Sequence, residues 1–238
     1  MKDIPVESIA DYFAKVSNHF PNHGAIFRGV TNVDHALICS VGRALQRLID
    51  SGRVLGDPSA LEKYSLELFE DRAQPYFQHR PQNRWEMLLF AQHHGLPTRL
   101  MDWTLSSGVA AFFASRKDVE LKDDTDFAIY AQIPDMCDLK DLRKFKDDPF
   151  AIDQVVLYGA PHISARVAAQ HGVITAHPVP LEPYSNSKLI RFVFPRKQRI
   201  RARKDLMNIG IHEQVLFPDL DGVAGSIKFL KFGPNSQT

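Results

Sequence analysis

One run of thirteen residues, Gln92 to Thr104 (QHHGLPTRLMDWT), constrains the fold of this chain more than any other. Gln92, His93, Thr98, Arg99, Asp102 and Thr104 all donate or accept hydrogen bonds. Gly95 and Pro97 punctuate the backbone, and Leu96, Leu100, Met101 and Trp103 demand apolar cover. A surface loop lacks such anchors and a plain core element lacks such charges. The run therefore reads as the wall of a site pinned by its own hydrophobic pegs. It divides into a helix end at Gln92-His93, a turn at Gly95-Leu96-Pro97 and an extended piece from Thr98 to Thr104.

The elements around this run follow from periodicity. Ile9, Phe13, Val16 and Phe20 recur at helical spacing, so residues 1–20 hold an amphipathic helical extension. Ala25-Ile26-Phe27 is a short strand running into Arg28-Gly29, and a helix is predicted from Ser40 to Ile49. Ser59-Ala60-Leu61-Glu62 has capping-box spacing ahead of a helix to about Gln78, and Asn83 and Glu86 repeat the spacing at the next helix. Ser106 or Ser107 caps an apolar helix from Gly108 to Arg116. Beyond residue 120, strands are predicted at Asp126–Ile133, Gln154–Leu157, Val173–His177 and Leu189–Phe194. They mix with helices at 161–169, at 199–208 and after Pro218. A helix-rich first half and a mixed second half give an α+β fold. No Pro/Gly/Ser linker separates the halves, so residues 1–238 are expected to form one domain.

Composition excludes whole classes. A net charge of +1 over 238 residues supplies no global field for nucleic acid or an anionic membrane. No apolar stretch is long enough for a spanning helix, and no apolar leader opens the chain. Cys39 and Cys137 form no CxxC pair. The expectation is a cytoplasmic protein without a membrane role.

The candidate chemistry is scattered. Arg28 followed by Gly29 can offer a planar fork to a phosphate, or form a salt bridge at a turn. Glu86 and His93 lie two helical turns apart on one face, which can place an acid and an imidazole in one cleft; capping explains Glu86 equally well. Arg99 and Asp102 can pair with each other. Thr104 can cap the helix that follows, and an arginine, a hydroxyl and a helix start side by side suit a phosphate. Arg166 and Gln170 share a helical face, and Glu213 is either a catalytic carboxylate or an exposed one. The basic run Lys188–Lys204 reads as a solvated helix face or a nucleic-acid contact. His93-His94 has no third ligand at metal spacing, so no metal site is expected. Dinucleotide, P-loop, hydrolase-elbow and zincin motifs do not occur.

Taken together, Phe27-Arg28-Gly29, WEMLLFAQHHGLPTRLMDWT, VAAFFA at Val109 to Ala114, RVAAQHG and NIGIHEQVLFPDLDG resemble, in order, the FRG domain family over roughly residues 20 to 230. Members of that family are mostly uncharacterised and occur in bacterial and phage-encoded proteins, some tied to defence or toxin-like settings. A looser resemblance is to the Arg-Ser-Glu class of ADP-ribosyltransferases. Their arginine-ended strand is similar to Arg28-Gly29, and their Ser-Thr-Ser strand to Asp102-Trp103-Thr104. This second resemblance implies an ADP-ribosyltransferase-like fold, NAD as the nucleotide and a protein or nucleic-acid acceptor. It implies Arg28 and Gly29 on the pyrophosphate, Thr104 and Asp102 near the nicotinamide ribose, and Trp103 or His93 stacked on a ring. Arg99 and Gln170 complete the binding set. Aligning Gly172 with the class glycine places Arg166 where the catalytic glutamate stands, so the acid falls to Glu213, Glu86 or the neighbourhood of Gln170. A non-catalytic nucleotide- or nucleic-acid-binding module, and a metal-dependent nuclease using Glu86, His93 and Asp102, are the competing expectations.

Overall fold

The apolar run FAIYAQ (127–132), buried at every position, pairs with IRFVF (190–194) inside a sheet that runs through the whole molecule. A computed structural model describes residues 1–22, 24–53, 56–77, 80–116, 125–134, 139–140, 147–159 and 169–233. The strands are β1 (Lys2–Pro5), β2 (Ile26–Val30), β3 (Leu100–Thr104), β4 (Phe127–Gln132), β5 (Leu139–Lys140), β6 (Val156–Gly159), β7 (Gly172–Ala176) and β8 (Ile190–Phe194). Their order is β1-β8-β4-β2-β3-β7-β6-β5. The outer pairs, β1 with β8 and β5 with β6, are parallel, and the inner ones are antiparallel. The helices are α1 (Ile9–His19), α2 (Ser40–Asp50), α3 (Pro58–Ala73), α4 (Arg84–His93), α5 (Ser107–Ser115), α6 (Arg199–Asn208), α7 (Glu213–Leu216) and α8 (Leu220–Phe232). The fold is α+β, as the sequence pattern requires.

Most helix starts follow local chemistry. Ser8, Asn83, Ser106 and Asp219 each accept a hydrogen bond from a backbone N–H of the first turn. The start of α3 departs from expectation. Asp57, not Ser59, is the cap, and Glu62 turns into the interior instead of closing a capping box. The helix also stops at Ala73, because Pro75 cannot supply the next backbone donor; a short 3-10 turn, Gln74–Tyr76, follows. The strand expected at Gln154–Leu157 lies two residues later, in register with β7. Residues 1–20 do more than form a helix: β1 extends the sheet edge, and Tyr12 of α1 is fully buried against Phe192 and Phe194. The predicted helix at 161–169, with Arg166, and Cys137 lie outside the described residues.

The sheet is two half-sheets meeting at a narrow seam. β2 and β3 share one registered pair, Phe27 with Thr104, whereas β2 shares five with β4 and β3 shares five with β7. Each half has its own core on the helical face. Phe27, Phe127, Ile129, Phe192 and Phe194 pack under α1, α5 and α6. Leu100, Val156, Tyr158 and Ile174 pack under α3 and α4. On the opposite face a third cluster spans the seam, with Ile26 and Tyr130 from one half joined to Met101, Trp103, Leu157 and Val173 from the other. Leu37 and Tyr184, from two loops bonded to each other through their backbones, cover it.

Candidate functional site

A cavity of about 370 Å³ opens along the seam, a volume suited to a small ligand. Phe27, Leu89, Ala110, Phe113 and Ile174 give it apolar walls, and Arg28, Gln92, His93, Asp102, Thr104 and Gln170 supply polar groups. Segments far apart in sequence meet here because α4 ends, β3 runs and α5 begins around the one place where the sheet's ladder is thinnest.

Arg28 crosses the seam. It lies inside β2, not at its end, and its guanidinium donates to the Asp102 carbonyl of β3, taking the place of a ladder bond. Burial lowers the pKa of Arg28; the Asp102 carboxylate opposes that shift and the charge of Arg43 adds to it. An arginine remains cationic under such a shift. Gly29 has a different reason to be glycine than the approach of a phosphate. A Cβ there would sit 2.1 Å from the Ala110 carbonyl oxygen and 2.5 Å from the Ala114 nitrogen. The absent side chain lets α5 lie directly on β2, although Gly29 still borders the cavity.

Asp102 is exposed within the cleft and is the one carboxylate among its described lining residues. Gln92 positions it: the amide Nε2 donates to Asp102 Oδ1 at 2.7 Å, and the amide oxygen accepts from the Thr98 hydroxyl. Gln92 is therefore a bracket that fixes the carboxylate to the end of α4. His93, next along the helix, is exposed at the cavity wall, with its ring 5.3 Å from that of His94.

Arg99 is not part of the cleft and does not pair with Asp102. Its side chain and that of Glu62 are 0% and 1% exposed and form an ion pair at 2.8 Å. Glu62 also accepts from the Arg99 backbone N–H at 2.6 Å, and the guanidinium stacks 4.7 Å from the centre of the Phe150 ring. Arg99 precedes β3 and turns into the interior beside Glu62 of α3, whereas Asp102, within the strand, stands in the open cleft.

Thr104 does not cap α5; Ser106 does. The Thr104 hydroxyl donates to the Gln170 carbonyl at 2.7 Å and accepts from the Ser106 N–H at 3.0 Å. It thereby joins the end of β3 to the start of β7 and of α5. Gln170 borders the cavity, with its amide donating to the Leu216 carbonyl. Trp103 borders it too, but its indole is buried in the third cluster and donates to the Thr175 hydroxyl at 2.9 Å, so it is not offered for stacking. The same hydroxyl lies 2.9 Å from His177 Nε2. Burial, and then the charge of Arg28, lower the pKa of His177 to about 4.

The two candidate glutamates lie elsewhere. Glu86 accepts from the Gln82 N–H at 2.8 Å at the start of α4 and does not border the cavity. Glu213 is buried in α7 in an ion pair with Arg203. The basic run is solvated at Lys188, Arg196, Lys197, Arg201 and Lys204 and structural at its part-buried arginines. Arg191 pairs with Asp3 at 2.7 Å, and Arg199 donates to the carbonyls of Ala114, Thr31 and Thr125. Among the described residues no group of three His, Cys, Asp or Glu is arranged to hold a metal. No described helix is long and apolar enough to cross a membrane.

Two arginines that sequence reasoning passed over adjoin the site. Arg43 and Arg47 of α2 border a second cavity of about 300 Å³ that shares Arg28, Gln92 and Asp102 with the first. Their i, i+4 spacing on one amphipathic helix was the available signal.

No curated protein and no solved structure matches the chain. A family model described as the FRG domain matches residues 23–123, which include Arg28, the Gln92–Thr104 run and α5 but neither Gln170 nor Glu213. The segments that supply the arginine, its carboxylate neighbour and the helix laid across Gly29 thus all lie within the part of the chain that matches the FRG domain.

Proposed function

We propose that the seam cleft binds NAD as a substrate and that the protein transfers its ADP-ribosyl group to a protein or nucleic-acid acceptor. The observation that carries this reading is convergence. Arg28 on β2, Thr104 on β3 and the Gln170–Gly172 segment leading into β7 come from three segments distant in sequence and border one cavity. These are the segments that the resemblance to the Arg-Ser-Glu class assigns to the nucleotide.

In this reading Arg28 holds the diphosphate, and the apolar walls take a ring. His93, exposed at the wall, is the ring-stacking residue in place of the buried Trp103. Asp102, the carboxylate that borders the cleft, takes the electrostatic role expected of Glu86 or Glu213. Its negative charge, fixed by Gln92 before substrate arrives, stabilises positive charge that develops on the ribose. The C1′–N bond breaks with its electron pair passing to the nicotinamide nitrogen. A lone pair of the acceptor forms the new bond to C1′, and the acceptor's proton passes to Asp102 or to water. Thr104 is a positioning residue here, because its hydroxyl is engaged by Gln170 and Ser106. A bacterial defence or toxin setting is in keeping with such an activity.

The test is incubation with labelled NAD and candidate acceptors. Label transfer and nicotinamide release are expected, with Arg28→Ala lowering turnover roughly a hundredfold, the effect of losing about 3 kcal/mol of transition-state binding. Wild type and Arg28→Ala that are alike, with no nicotinamide released, would overturn the reading. One observation favours a second reading, a binding module without turnover: no glutamate is among the described residues that line the cleft. A rise in melting temperature with ADP-ribose, without turnover of NAD, would select it. The nuclease reading needs Glu86 beside His93 and Asp102, and the position of Glu86 at the helix cap disfavours it.

A further inference from the structure

Many arginines of this molecule stand in ion pairs. Arg80 pairs with Glu70, Arg84 with Glu67 and Asp148, Arg191 with Asp3 and Arg201 with Asp205. Arg43 and Arg47, like the exposed Arg53 and Arg72, form no ion pair among the described residues, but they border a cavity. They stand one helical turn apart on the exposed face of α2, a like-charge spacing that disfavours the helix. Arg43 gives one N–H to the Ile38 carbonyl, and Arg47 has no bonded partner among the described residues. The cavity they border contains a third arginine, Arg28, and one carboxylate, Asp102, which is already held by Gln92. Positive charge is thus gathered and left unneutralised at a concave place.

The arrangement is also fixed. Ser40, at the start of α2, donates its hydroxyl to the Thr98 carbonyl at 3.1 Å and accepts the Thr98 N–H at 2.9 Å. The Val41 N–H bonds the same carbonyl at 3.0 Å. These bonds join α2 to the run that carries Asp102, so the arginines hold a set position relative to the cleft. The apolar cavity and the cationic one meet at Arg28, Gln92 and Asp102.

We propose that Arg43 and Arg47, with Arg28 between the two cavities, form a phosphate subsite that takes the diphosphate of a nucleotide whose ring and sugar lie in the seam cleft. This inference rests on the nucleotide reading of that cleft and adds the residues that select a charged ligand over a neutral nucleoside. Arginine forks suit phosphate oxygens bidentately, and two adjacent phosphates match more than one fork.

The experiment is calorimetric titration of the whole chain with ADP-ribose, adenosine, inorganic pyrophosphate and a ten-nucleotide RNA. It compares wild type with the double variant Arg43→Gln/Arg47→Gln, whose side chains are exposed and whose melting temperature should not change. The expected result is at least a tenfold loss of ADP-ribose affinity, loss of pyrophosphate binding and unchanged adenosine binding. Wild-type affinity should also fall as salt rises, and fall less in the variant. ADP-ribose bound equally by both proteins overturns the subsite and leaves the cleft reading intact. Pyrophosphate bound by wild type alone, with no ADP-ribose bound by either, supports the arginine site and overturns the nucleotide cleft. RNA bound more tightly than ADP-ribose, with the same dependence on Arg43 and Arg47, overturns the small-ligand assignment.

Discussion

Arg99 and Glu62, 37 residues apart, form an ion pair from which solvent is excluded, while Asp102, three residues beyond Arg99, stands in the open cleft. One short segment thus divides its charges between architecture and chemistry. Removing one partner leaves a buried charge without compensation. Arg99→Met is expected to cost about 3–5 kcal/mol of stability, measured by urea unfolding. The double variant Glu62→Leu/Arg99→Met should recover most of that loss. Equal destabilisation in the single and double variants would show that the pair is not the source.

Gly29 makes a separate prediction about packing. Backbone atoms of α5 lie 2.1 and 2.5 Å from the point an alanine Cβ would occupy, so Gly29→Ala must push α5 off β2. A loss of about 1–3 kcal/mol is expected, with Tm falling before any ligand is added. A variant as stable as wild type would return Gly29 to a ligand-contact role.

For Asp102, the effect should divide between binding and turnover. Asp102→Asn preserves shape but removes the charge. Nicotinamide release is expected to fall roughly a hundredfold or more, as when one preorganised group is lost. ADP-ribose affinity should change much less. Gln92→Leu, which frees Asp102 and Thr98 together, should follow the same pattern with a stability loss of about 1 kcal/mol. Parallel losses of affinity and turnover in Asp102→Asn would make the carboxylate a binding group only.

His177 predicts a pH dependence with a definite sign. Its pKa falls from 6.5 to about 4 on folding, so the unfolded chain takes the proton first as pH drops. Stability is fully present above pH 6.5, is lost as pH falls from 6.5 towards 4, and levels off below. The loss is about 3 kcal/mol for a shift of this size. His177→Gln should flatten that part of the stability profile measured by chemical unfolding. An unchanged slope would assign the acid sensitivity to other groups.

How much of this was legible in the sequence depended on distance along the chain. The Asn83 cap, the Ser106 cap and the apolar strand Phe127–Gln132 are local, and each formed as its residues dictated. The division of Gln92–Thr104 into helix end, turn and strand was equally local. Glu62 misled because its spacing from Ser59 satisfies a capping box, while its true partner lies 37 residues away on another element. Trp103 looked like a stacking platform because a period of two does not say which face holds the ligand. Asp102 was recognised as polar chemistry, but its place as the cleft carboxylate depends on Arg28, 74 residues distant, and on a seam that no local pattern encodes. β1 was missed because a charged four-residue edge strand ending in Pro5 has almost no strand signature.

The single Phe27–Thr104 pair has one more consequence. Each half-sheet keeps a separate core on the helical face, yet both share the cluster behind the seam. The molecule is bound like a book, with Trp103, Ile26 and Tyr130 in the spine and the cleft at the inner margin. Damage to either core loosens one cover, whereas damage to the spine loosens both. Truncating Trp103 should therefore accelerate amide exchange in β2 and β7 together, and truncating Leu88 of the α4 core should reach β7 but leave β2 protected.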